Sequence, residues 1–262
     1  MTKTKRKPAR QTLDEKLLFY PSKYPEGNWK PAGLTYDDVW FTTDDHVQLH
    51  GWYCPCRNAR AVILYAHGNA GNLTHRLPVL QVLQQQLHCT VFIFDYRGYG
   101  RSKGKPTVKG ILTDARAARA EAAKRAHITP SSLVLMGRSL GGAVAVQLAT
   151  ESAPRGLILE STFSSLRDVA QVHFRWLAWV VPKNKLNSTE TIARYHGPLL
   201  QSHGDNDHTI PYALGLKLFK AANEPKQFVT IHGGDHNSPQ TRAYYTKLDQ
   251  FITQINAQAA QP

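Results

Sequence analysis

The sequence predicts an α/β protein in which a mostly parallel central sheet is covered by helices on both faces. Short apolar runs rich in β-branched residues alternate along the chain with longer stretches of helical periodicity, as expected of such a sheet. The chain has 262 residues and is 42% hydrophobic, which suits one large domain and excludes a wholly disordered protein. We therefore expect a single domain over residues 13–262, preceded by a flexible basic tail at residues 1–12.

The predicted strands and helices follow one another in a regular order. Strands are predicted at residues 39–42, 47–53, 62–66, 91–94, 133–136, 157–159, 199–202 and 228–231. Helices are predicted at residues 73–87, 111–126, 140–150 and 244–255. The first two strands flank an Asp44-Asp45 turn, and most of the later ones are short apolar runs typical of strands buried on both faces. Because ligands of parallel sheets bind beyond the carboxyl ends of the strands, we expect the chemistry in the loops that follow them.

The net charge of +13 is concentrated in two regions. Residues 1–10 contain five basic residues and no acid, and residues 97–127 contain nine basic residues against two acidic ones. The remainder is close to neutral, which excludes a uniformly basic surface. A non-catalytic protein that binds nucleic acid or an anionic membrane through these regions stays open as an alternative. No nucleic-acid-binding module is recognisable, so we expect no nucleic-acid partner.

Targeting and redox features indicate a cytoplasmic protein. The basic residues at the start are not followed by the apolar run of a secretory signal, and no segment reaches the length of a membrane span. The three cysteines, Cys54, Cys56 and Cys89, are too few and odd in number for a disulfide framework. We expect free thiols in a reducing compartment.

Ser139 is the candidate nucleophile. It stands in Gly137-Arg138-Ser139-Leu140-Gly141-Gly142, between a predicted strand and a predicted helix. G-x-S-x-G in that context places a serine on a sharp turn that lifts its hydroxyl above the sheet, and the glycines allow strand and helix to approach closely. The N-terminus of the following helix also favours a developing negative charge.

A second glycine-containing loop supplies candidate oxyanion donors. His67-Gly68-Asn69-Ala70-Gly71-Asn72 directly follows the predicted strand at residues 62–66. A nucleophilic serine needs one backbone N–H from the residue after it and another from a loop at this position of the sheet. We therefore expect the N–H groups of Leu140 and Asn69 to bind the oxyanion.

His236 is the candidate general base. The expected order along the chain is serine, acid, histidine, and His236 follows the last predicted strand beyond two glycines, where a side chain can reach over the sheet. His232 is closer to the strand and is expected to be structural. His232 and His236 also have the spacing of a metal pair on a helix, but Gly233-Gly234 between them argues against a helix, so no metal is expected.

Asp207 is the preferred acid. It follows the predicted strand at residues 199–202 and lies further beyond the strand end than Asp205. Asp235 adjoins the candidate histidine, and its side chain would have to turn back on its neighbour. Glu160 ends an earlier strand and remains the fallback acid.

Taken together, these segments resemble the α/β-hydrolase superfamily. The nearest branch is the small, lid-poor one that includes bacterial esterase-like proteins and eukaryotic protein depalmitoylases. The resemblance rests on residues 17–27, 67–72, 94–102, 137–142, 203–207 and 234–237. Relatives often have an N-terminal apolar anchor before the first of these segments, whereas this chain has a basic tail.

The resemblance implies an α/β-hydrolase fold and a serine hydrolase of carboxylic esters or thioesters. It implies Ser139, Asp207 and His236 as the catalytic triad, acting through an acyl-enzyme on a small ester or acyl substrate, without metal or cofactor. A peptidase or acyl-peptide hydrolase is the alternative within the superfamily. The oligomeric state is left open.

Two features bear on the substrate. Residues 161–197 have room only for a short cap, whose apolar residues, Phe163 and Trp176 among them, either line an acyl pocket, touch a membrane surface or pack on the core. The basic loop with Arg101, Lys103 and Lys105 follows a strand at the expected active-site edge. Arg101, Lys103 and Lys105 are candidates to meet an anionic headgroup or a phosphate-bearing leaving group, although a solvated basic face is the favoured interpretation. A peripheral contact with anionic membrane stays open.

Overall fold

The computed structural model describes residues 12, 15, 18–176 and 178–259, so the tail predicted at residues 1–12 lies, apart from Thr12, outside the described residues. Within them the chain forms ten strands and seven α-helices, with short 3-10 and π segments. The strands are β1 Tyr20–Pro21, β2 Asp37–Thr42, β3 Gln48–Cys54, β4 Ala61–Ala66, β5 Ala70–Gly71, β6 Cys89–Phe94, β7 Val134–Arg138, β8 Gly156–Glu160, β9 Leu199–Gly204 and β10 Lys226–Ile231. The α-helices are α1 Leu77–Gln81, α2 Val108–Ala126, α3 Leu140–Glu151, α4 Leu166–His173, α5 Ser188–Ile192, α6 Tyr212–Ala221 and α7 Arg242–Ala259.

One eight-stranded sheet organises the molecule. Its strand order is β10-β9-β8-β7-β4-β6-β3-β2. β3 runs antiparallel to both of its neighbours, and all other neighbouring strands are parallel. The predicted α/β class with a mostly parallel sheet is therefore confirmed. The carboxyl ends of β4, β7, β8, β9 and β10 meet at one edge of this sheet, which brings the loops after them together.

The core has two halves, one on each face of the sheet. Successive strand residues point to opposite faces, so Ile63 belongs to one apolar cluster and Leu64 to the other. The cluster around Leu64 includes α2 and α3, and the cluster around Ile63 includes α7. Burial on both faces explains why the parallel strands are continuous apolar runs.

The helix predicted at residues 73–87 is three short pieces instead of one helix. Leu73–Arg76 is a 3-10 turn, α1 follows, and Val82–Gln86 is π-helical. Pro78 is the second residue of α1, where a missing N–H costs nothing, whereas the interior of a continuous helix would not accept it. The predicted helical periodicity is therefore present, but not as one continuous helix.

The segment 18–27, here called the strap, crosses the edge of the sheet that carries the candidate site. Within it β1 pairs in parallel with β5, with Tyr20 opposite Ala70. Further along, Gly100 donates its N–H to the Ser22 carbonyl at 2.9 Å and accepts the Tyr24 N–H at 3.0 Å. The strap thus joins the loop after β4 to the loop after β6.

The cysteines are free thiols, and burial raises the pKa of both Cys54 and Cys89 to about 12. Such thiols stay protonated and have little nucleophilic character. None of the described helices combines the length and the hydropathy needed to span a bilayer.

Candidate active site

Ser139 occupies a strained turn between β7 and α3. Its backbone has φ +52° and ψ −118°, a region that residues with a side chain rarely adopt. The turn is held by its neighbours: the Ser139 N–H donates to the Glu160 carbonyl at 2.9 Å, and its carbonyl accepts from the Thr162 hydroxyl at 2.8 Å. The local structure therefore has the sharp turn between strand and helix that the motif predicted.

The glycines of the motif are required by close packing. A Cβ on Gly137 would collide with the Gly141 carbonyl, and a Cβ on Gly141 would collide with the Ala66 carbonyl of β4. A Cβ on Gly142 would lie 2.5 Å from the Thr162 side chain. Strand and helix approach so closely that side chains at these positions have no space.

The structure brings Ser139, His236 and Asp207 into one hydrogen-bonded series. Nε2 of His236 lies 3.1 Å from the Ser139 Oγ, and Nδ1 lies 2.8 Å from Asp207 Oδ2. Because an ionised carboxylate can only accept, Nδ1 carries the proton and Nε2 is left to accept the serine O–H. This arrangement has the geometry of a nucleophile, a base and an orienting acid.

Asp207 is held as a carboxylate by donors on several sides. Its Oδ1 accepts the backbone N–H groups of Thr209 at 2.9 Å and Ile210 at 2.7 Å, and its Oδ2 lies 3.3 Å from Nε2 of His203. Burial alone would raise the pKa of Asp207, but the hydrogen bonds from His203, His236 and the Ile210 amide outweigh it and lower the pKa below its ordinary value. The acid therefore stays ionised at neutral pH.

Asp205 and His232 form a separate, exposed pair. Nδ1 of His232 lies 2.9 Å from Asp205 Oδ2, and the Gly233 N–H donates to Asp205 Oδ1 at 2.6 Å. His232 is therefore not part of the Ser139, His236 and Asp207 series, and the structural role expected for it stays a prediction. Among the described residues, no three His, Cys, Asp or Glu side chains converge on a point where a metal ion could sit.

The two remaining candidate acids also lie elsewhere. Asp235 Oδ1 accepts the backbone N–H groups of His208 at 3.0 Å and His236 at 2.7 Å, so it shapes the loop and does not contact the imidazole. Glu160 is fully buried on the far side of the Ser139 turn, near Tyr244 and Arg138, and burial raises its pKa.

The two residues expected to supply oxyanion donors flank Ser139. Leu140 is the first residue of α3, and Asn69 lies in the loop after β4; both line the same cavity as the serine. The Asn69 side chain is engaged elsewhere, since its Oδ1 accepts the Tyr99 hydroxyl at 2.9 Å and its Nδ2 donates to the Leu18 carbonyl of the strap. The group that Asn69 leaves for a ligand is therefore its backbone N–H.

A cavity of about 520 Å³ opens above Ser139, within the usual range for a small-molecule site. One wall is apolar and comes largely from the segment 161–197. That wall contains Phe163, Leu166, Val169, Ala170, Phe174, Val180, Val181 and, from elsewhere, Leu18 and Ile210. The lining also has a polar part, here called the polar side, which includes Asn69, Arg76, Arg138 and Asn237.

The residues expected to contact substrate separate into two groups. Phe163 lines the cavity and is buried. Trp176 does not line it and is 74% exposed, and the neighbouring Leu177 lies outside the described residues.

Arg101 lies outside the cavity as well. Its guanidinium lies 4.5 Å from the Trp29 ring centroid and 5.0 Å from that of Tyr24, and it pairs with Asp38 at 3.2 Å. The prediction placed Arg101 at the active-site edge because it follows a strand there. It did not anticipate that the strap packs over the loop and draws this side chain away from Ser139.

Arg97, at the start of the same basic loop, is a buried ion-pair hub. Its guanidinium pairs with Asp45 at 2.8 Å and with Asp114 at 2.7 Å. The Arg97 hydrogen bond lowers the pKa of Asp45 to about 2, whereas burial raises the pKa of Asp114 to about 6. This part of the basic charge therefore stabilises the fold and is not free to meet a substrate.

Sequence reasoning missed Arg76 and Arg138 as cavity residues. Arg138 lies within the G-x-S-x-G motif, and its position beside the candidate nucleophile was a signal that could have placed it at the site. Arg76 lies past the loop after β4, with no local pattern that would place it at the site. Both line the polar side of the cavity.

Comparison with known proteins shows a matching family and several relatives. The family described as serine aminopeptidase, S33 matches residues 57–196. An uncharacterized protein of Mycobacterium tuberculosis (strain H37Rv) is 36% identical over 252 residues, covering 91% of this chain and 87% of that protein. The alpha/beta hydrolase domain-containing protein WAV2 of Arabidopsis thaliana is 35% identical, covering 86% of this chain and 81% of WAV2.

A solved structure agrees with the architecture. The Pyrococcus furiosus esterase Pf2001 superposes with a TM-score of 0.73 at 20% sequence identity, covering 89% of this chain and 98% of that chain. At this level of sequence identity, the structural similarity supports the fold alone.

Proposed function

The chain belongs to the serine aminopeptidase S33 family of α/β hydrolases, and from that premise we propose that it cleaves carboxylic esters or thioesters through an acyl-enzyme intermediate. The observation that carries the proposal is the hydrogen-bonded series from Ser139 through His236 to Asp207, opening on a cavity with an apolar wall. Such a series activates a serine, and such a wall suits the hydrocarbon of an acyl group.

In the first half of the reaction, the Ser139 Oγ attacks the substrate carbonyl carbon while Nε2 of His236 takes the hydroxyl proton. The carbonyl π electrons move onto oxygen, and the backbone N–H groups of Leu140 and Asn69 stabilise that oxyanion. The C–O or C–S bond then breaks, and His236 returns its proton to the departing alkoxide or thiolate. The Asp207 carboxylate stabilises the imidazolium that forms between these steps.

In the second half, a water molecule attacks the acyl-enzyme carbonyl and His236 takes its proton. The tetrahedral species collapses, the bond from carbon to the Ser139 Oγ breaks, and the proton passes from His236 to that oxygen. The carboxylic acid leaves and the enzyme is restored.

Ester cleavage is favoured over aminopeptidase chemistry by the charges in the cavity. An aminopeptidase must bind a free α-ammonium group, which calls for a carboxylate nearby. The described residues that line the cavity include two arginines and no Asp or Glu. Arg76 and Arg138 would repel an ammonium group, so amino-acyl anilides are expected to be poor substrates.

We further propose that the cap meets an anionic membrane peripherally. Trp176 and Trp179 are each 74% exposed, and Arg175 and Lys183 are exposed beside them. Aromatic rings with neighbouring cations are suited to the interface of an anionic bilayer.

The proposed activity is tested with purified protein and a series of p-nitrophenyl esters and matched thioesters of increasing acyl length. We expect turnover of short and medium chains, labelling by a fluorophosphonate probe, and weak cleavage of leucine p-nitroanilide. Ser139→Ala should abolish labelling and lower kcat by about 10⁶-fold while keeping the thermal unfolding profile. Ser131→Ala, at an exposed serine before β7, is the matched control and should behave as wild type. Labelling of the Ser139→Ala variant, or ester turnover that survives it, would contradict the proposal.

A further inference from the structure

The polar side of the cavity holds two cations without an acidic partner. Arg76 and Arg138 both line it beside Ser139, and within the described part of the chain neither forms an ion pair with a carboxylate. Arg60, Arg97 and Arg116, by contrast, each lie within 2.8 Å of an acid, whereas buried Arg119 donates to the carbonyls of Pro130 and Leu148. Two unpaired guanidiniums at one site need a physical explanation.

Each of these arginines uses only some of its N–H donors in hydrogen bonds with the protein. One Nη of Arg76 donates to the Ala70 carbonyl, and one Nη of Arg138 donates to the His236 carbonyl. The Arg76 Nε is buried and has no hydrogen-bond partner. A guanidinium carries five N–H donors in a fixed fork, so most of each fork is left for a ligand.

The electrostatic surroundings favour an incoming anion. Burial lowers the pKa of Arg76, and the nearby charge of Arg138 lowers it further, so the two cations repel each other. Asp95 acts electrostatically on Arg76, and Glu160 on Arg138, but neither acid forms an ion pair with these arginines in the described part of the chain. Asp95 accepts the Leu73 N–H at 2.8 Å and lies 3.4 Å from Nε2 of His67, and burial raises the pKa of Glu160. An anion placed between the arginines would relieve their repulsion.

We propose that Arg76 and Arg138 form a subsite for a carboxylate or phosphate group carried by the leaving group of the substrate. The inference rests on the proposed esterase function and names its substrate class. The scissile carbonyl sits at Ser139 and has two substituents. The hydrocarbon acyl chain suits the apolar wall around Phe163, which leaves the alcohol or thiol part facing the arginines.

Planar guanidiniums are well matched to this task. They bind carboxylate and phosphate oxygens through paired N–H donors, and such charge-assisted hydrogen bonds are stronger than neutral ones. The backbone tethers to Ala70 and His236 hold the two forks in place before the ligand arrives, which lowers the entropic cost of binding it.

The test compares three butyrate esters that differ only in the substituent at the para position of the phenol. One bears a carboxylate, one a phosphate monoester, and the third the neutral methyl ester of the carboxylate. For wild-type protein we expect kcat/KM of at least one anionic ester to exceed that of the neutral ester by tenfold or more. Arg76→Gln and Arg138→Gln should each bring that ratio close to one, and the two anionic esters distinguish carboxylate from phosphate.

Arg57→Gln is the matched control, since Arg57 is exposed in the turn before β4, at the opposite edge of the sheet. It removes one positive charge and should leave the ratio unchanged. If the cavity arginines served only to hold the Ala70 and His236 loops, their variants would lower turnover of neutral and anionic esters equally. An unchanged ratio in both variants would overturn the subsite.

A binding measurement separates this inference from the proposed function. In the Ser139→Ala background, calorimetric titration should give tighter binding of an anionic ester than of the neutral one, with a difference that shrinks at high salt and in Arg76→Gln. If no ester is turned over in a Ser139-dependent way, the proposed function fails, yet this preference would still support the subsite. Equal binding of the charged and neutral esters would overturn the subsite even if turnover is found.

Discussion

Asp207 and His236 are joined by a 2.8 Å hydrogen bond from Nδ1 to a carboxylate oxygen, and the other carboxylate oxygen is fixed by the amides of Thr209 and Ile210. The backbone amides therefore fix the Asp207 carboxylate, and the carboxylate in turn fixes the position of the His236 imidazole. This leaves the acid little freedom to change partners, and its charge decides which nitrogen of His236 carries the proton.

Asp207→Asn should leave the fold intact and lower kcat by about 10⁴-fold, because an amide NH₂ facing Nδ1 favours the tautomer whose Nε2 cannot accept the Ser139 proton. Steady-state ester hydrolysis and thermal unfolding measure the two effects. Asp205→Asn is the control, since Asp205 pairs with exposed His232 and should lose little activity. A loss below about tenfold in Asp207→Asn would contradict the assigned acid.

The same carboxylate should leave a signature in stability against pH. Its folded pKa is lowered below the unfolded value, so its contribution to the free energy of unfolding is complete above the unfolded pKa of about 3.9 and is lost as pH falls through the folded pKa. Urea unfolding between pH 7 and pH 3 should show wild type losing stability faster than Asp207→Asn below about pH 4. Parallel curves for the two proteins would mean that the pKa of Asp207 is not lowered by folding.

Alanine substitutions at two glycines near Ser139 should differ strongly in their cost to stability. Gly141→Ala places a Cβ against the Ala66 carbonyl and should destabilise the protein by more than about 3 kcal/mol or prevent folding. Gly68→Ala meets neighbours only at 3.6 Å and should cost less than about 1 kcal/mol. Thermal unfolding of the two variants tests this contrast. Equal effects would show that the close approach of β4 and α3 is not what excludes a side chain at Gly141.

Arg97 should be important for stability. Arg97→Met leaves the buried Asp114 without its partner and should cost about 3–5 kcal/mol. Adding Asp114→Asn should recover a large part of that loss, and Asp45→Asn alone should cost about 1 kcal/mol or less because Asp45 is exposed. Denaturant unfolding of the single and double variants gives the coupling. No recovery in the double variant would argue against an ion-pair origin.

The proposed membrane contact depends on the exposed rings of the cap. Trp176→Ala combined with Trp179→Ala should reduce cosedimentation with vesicles containing anionic lipid by about tenfold, with little change in hydrolysis of soluble short-chain esters. Trp40→Ala is the matched control, because Trp40 is 45% exposed on β2, at the far edge of the sheet. Binding that is unaffected by the cap variant, or equally reduced by the control, would count against the contact.

The elements of the site that sequence could predict are those fixed by local sterics and chain order. The turn at Ser139 needs glycines on both sides, and a strand before it and a helix after it are visible in the apolar pattern. His236 and Asp207 lie far from it along the chain, yet each follows a parallel strand, and the sheet brings the ends of such strands together. The parallel arrangement of the strands therefore allowed residues far apart in the sequence to be predicted as neighbours.

The sequence predictions failed where the position of a side chain depends on contacts between elements that are distant in sequence and have no recognisable pattern. Arg101 follows a strand at the right edge, but its guanidinium packs on Tyr24 of the strap and on Trp29 just after it. The strands β1 and β5, which hold the strap in place, have two residues each and are too short for any periodicity. Arg76, which lines the cavity, is the last residue of the 3-10 turn before α1, a position that no apolar periodicity marks. Helix α6 was not predicted, since Gly215 interrupts its apolar spacing and it depends on packing against β9.

The division of the cavity has an evolutionary consequence. The groups proposed to break the bond come from the crowded edge of the sheet, whereas most of the apolar wall comes from the short cap of residues 161–197. Under the proposed function, changes in the cap can therefore alter the accepted acyl length without disturbing the serine, histidine or aspartate. A lineage could acquire new substrates by exchanging this one segment, and a laboratory could do the same by grafting the cap of a relative onto this scaffold.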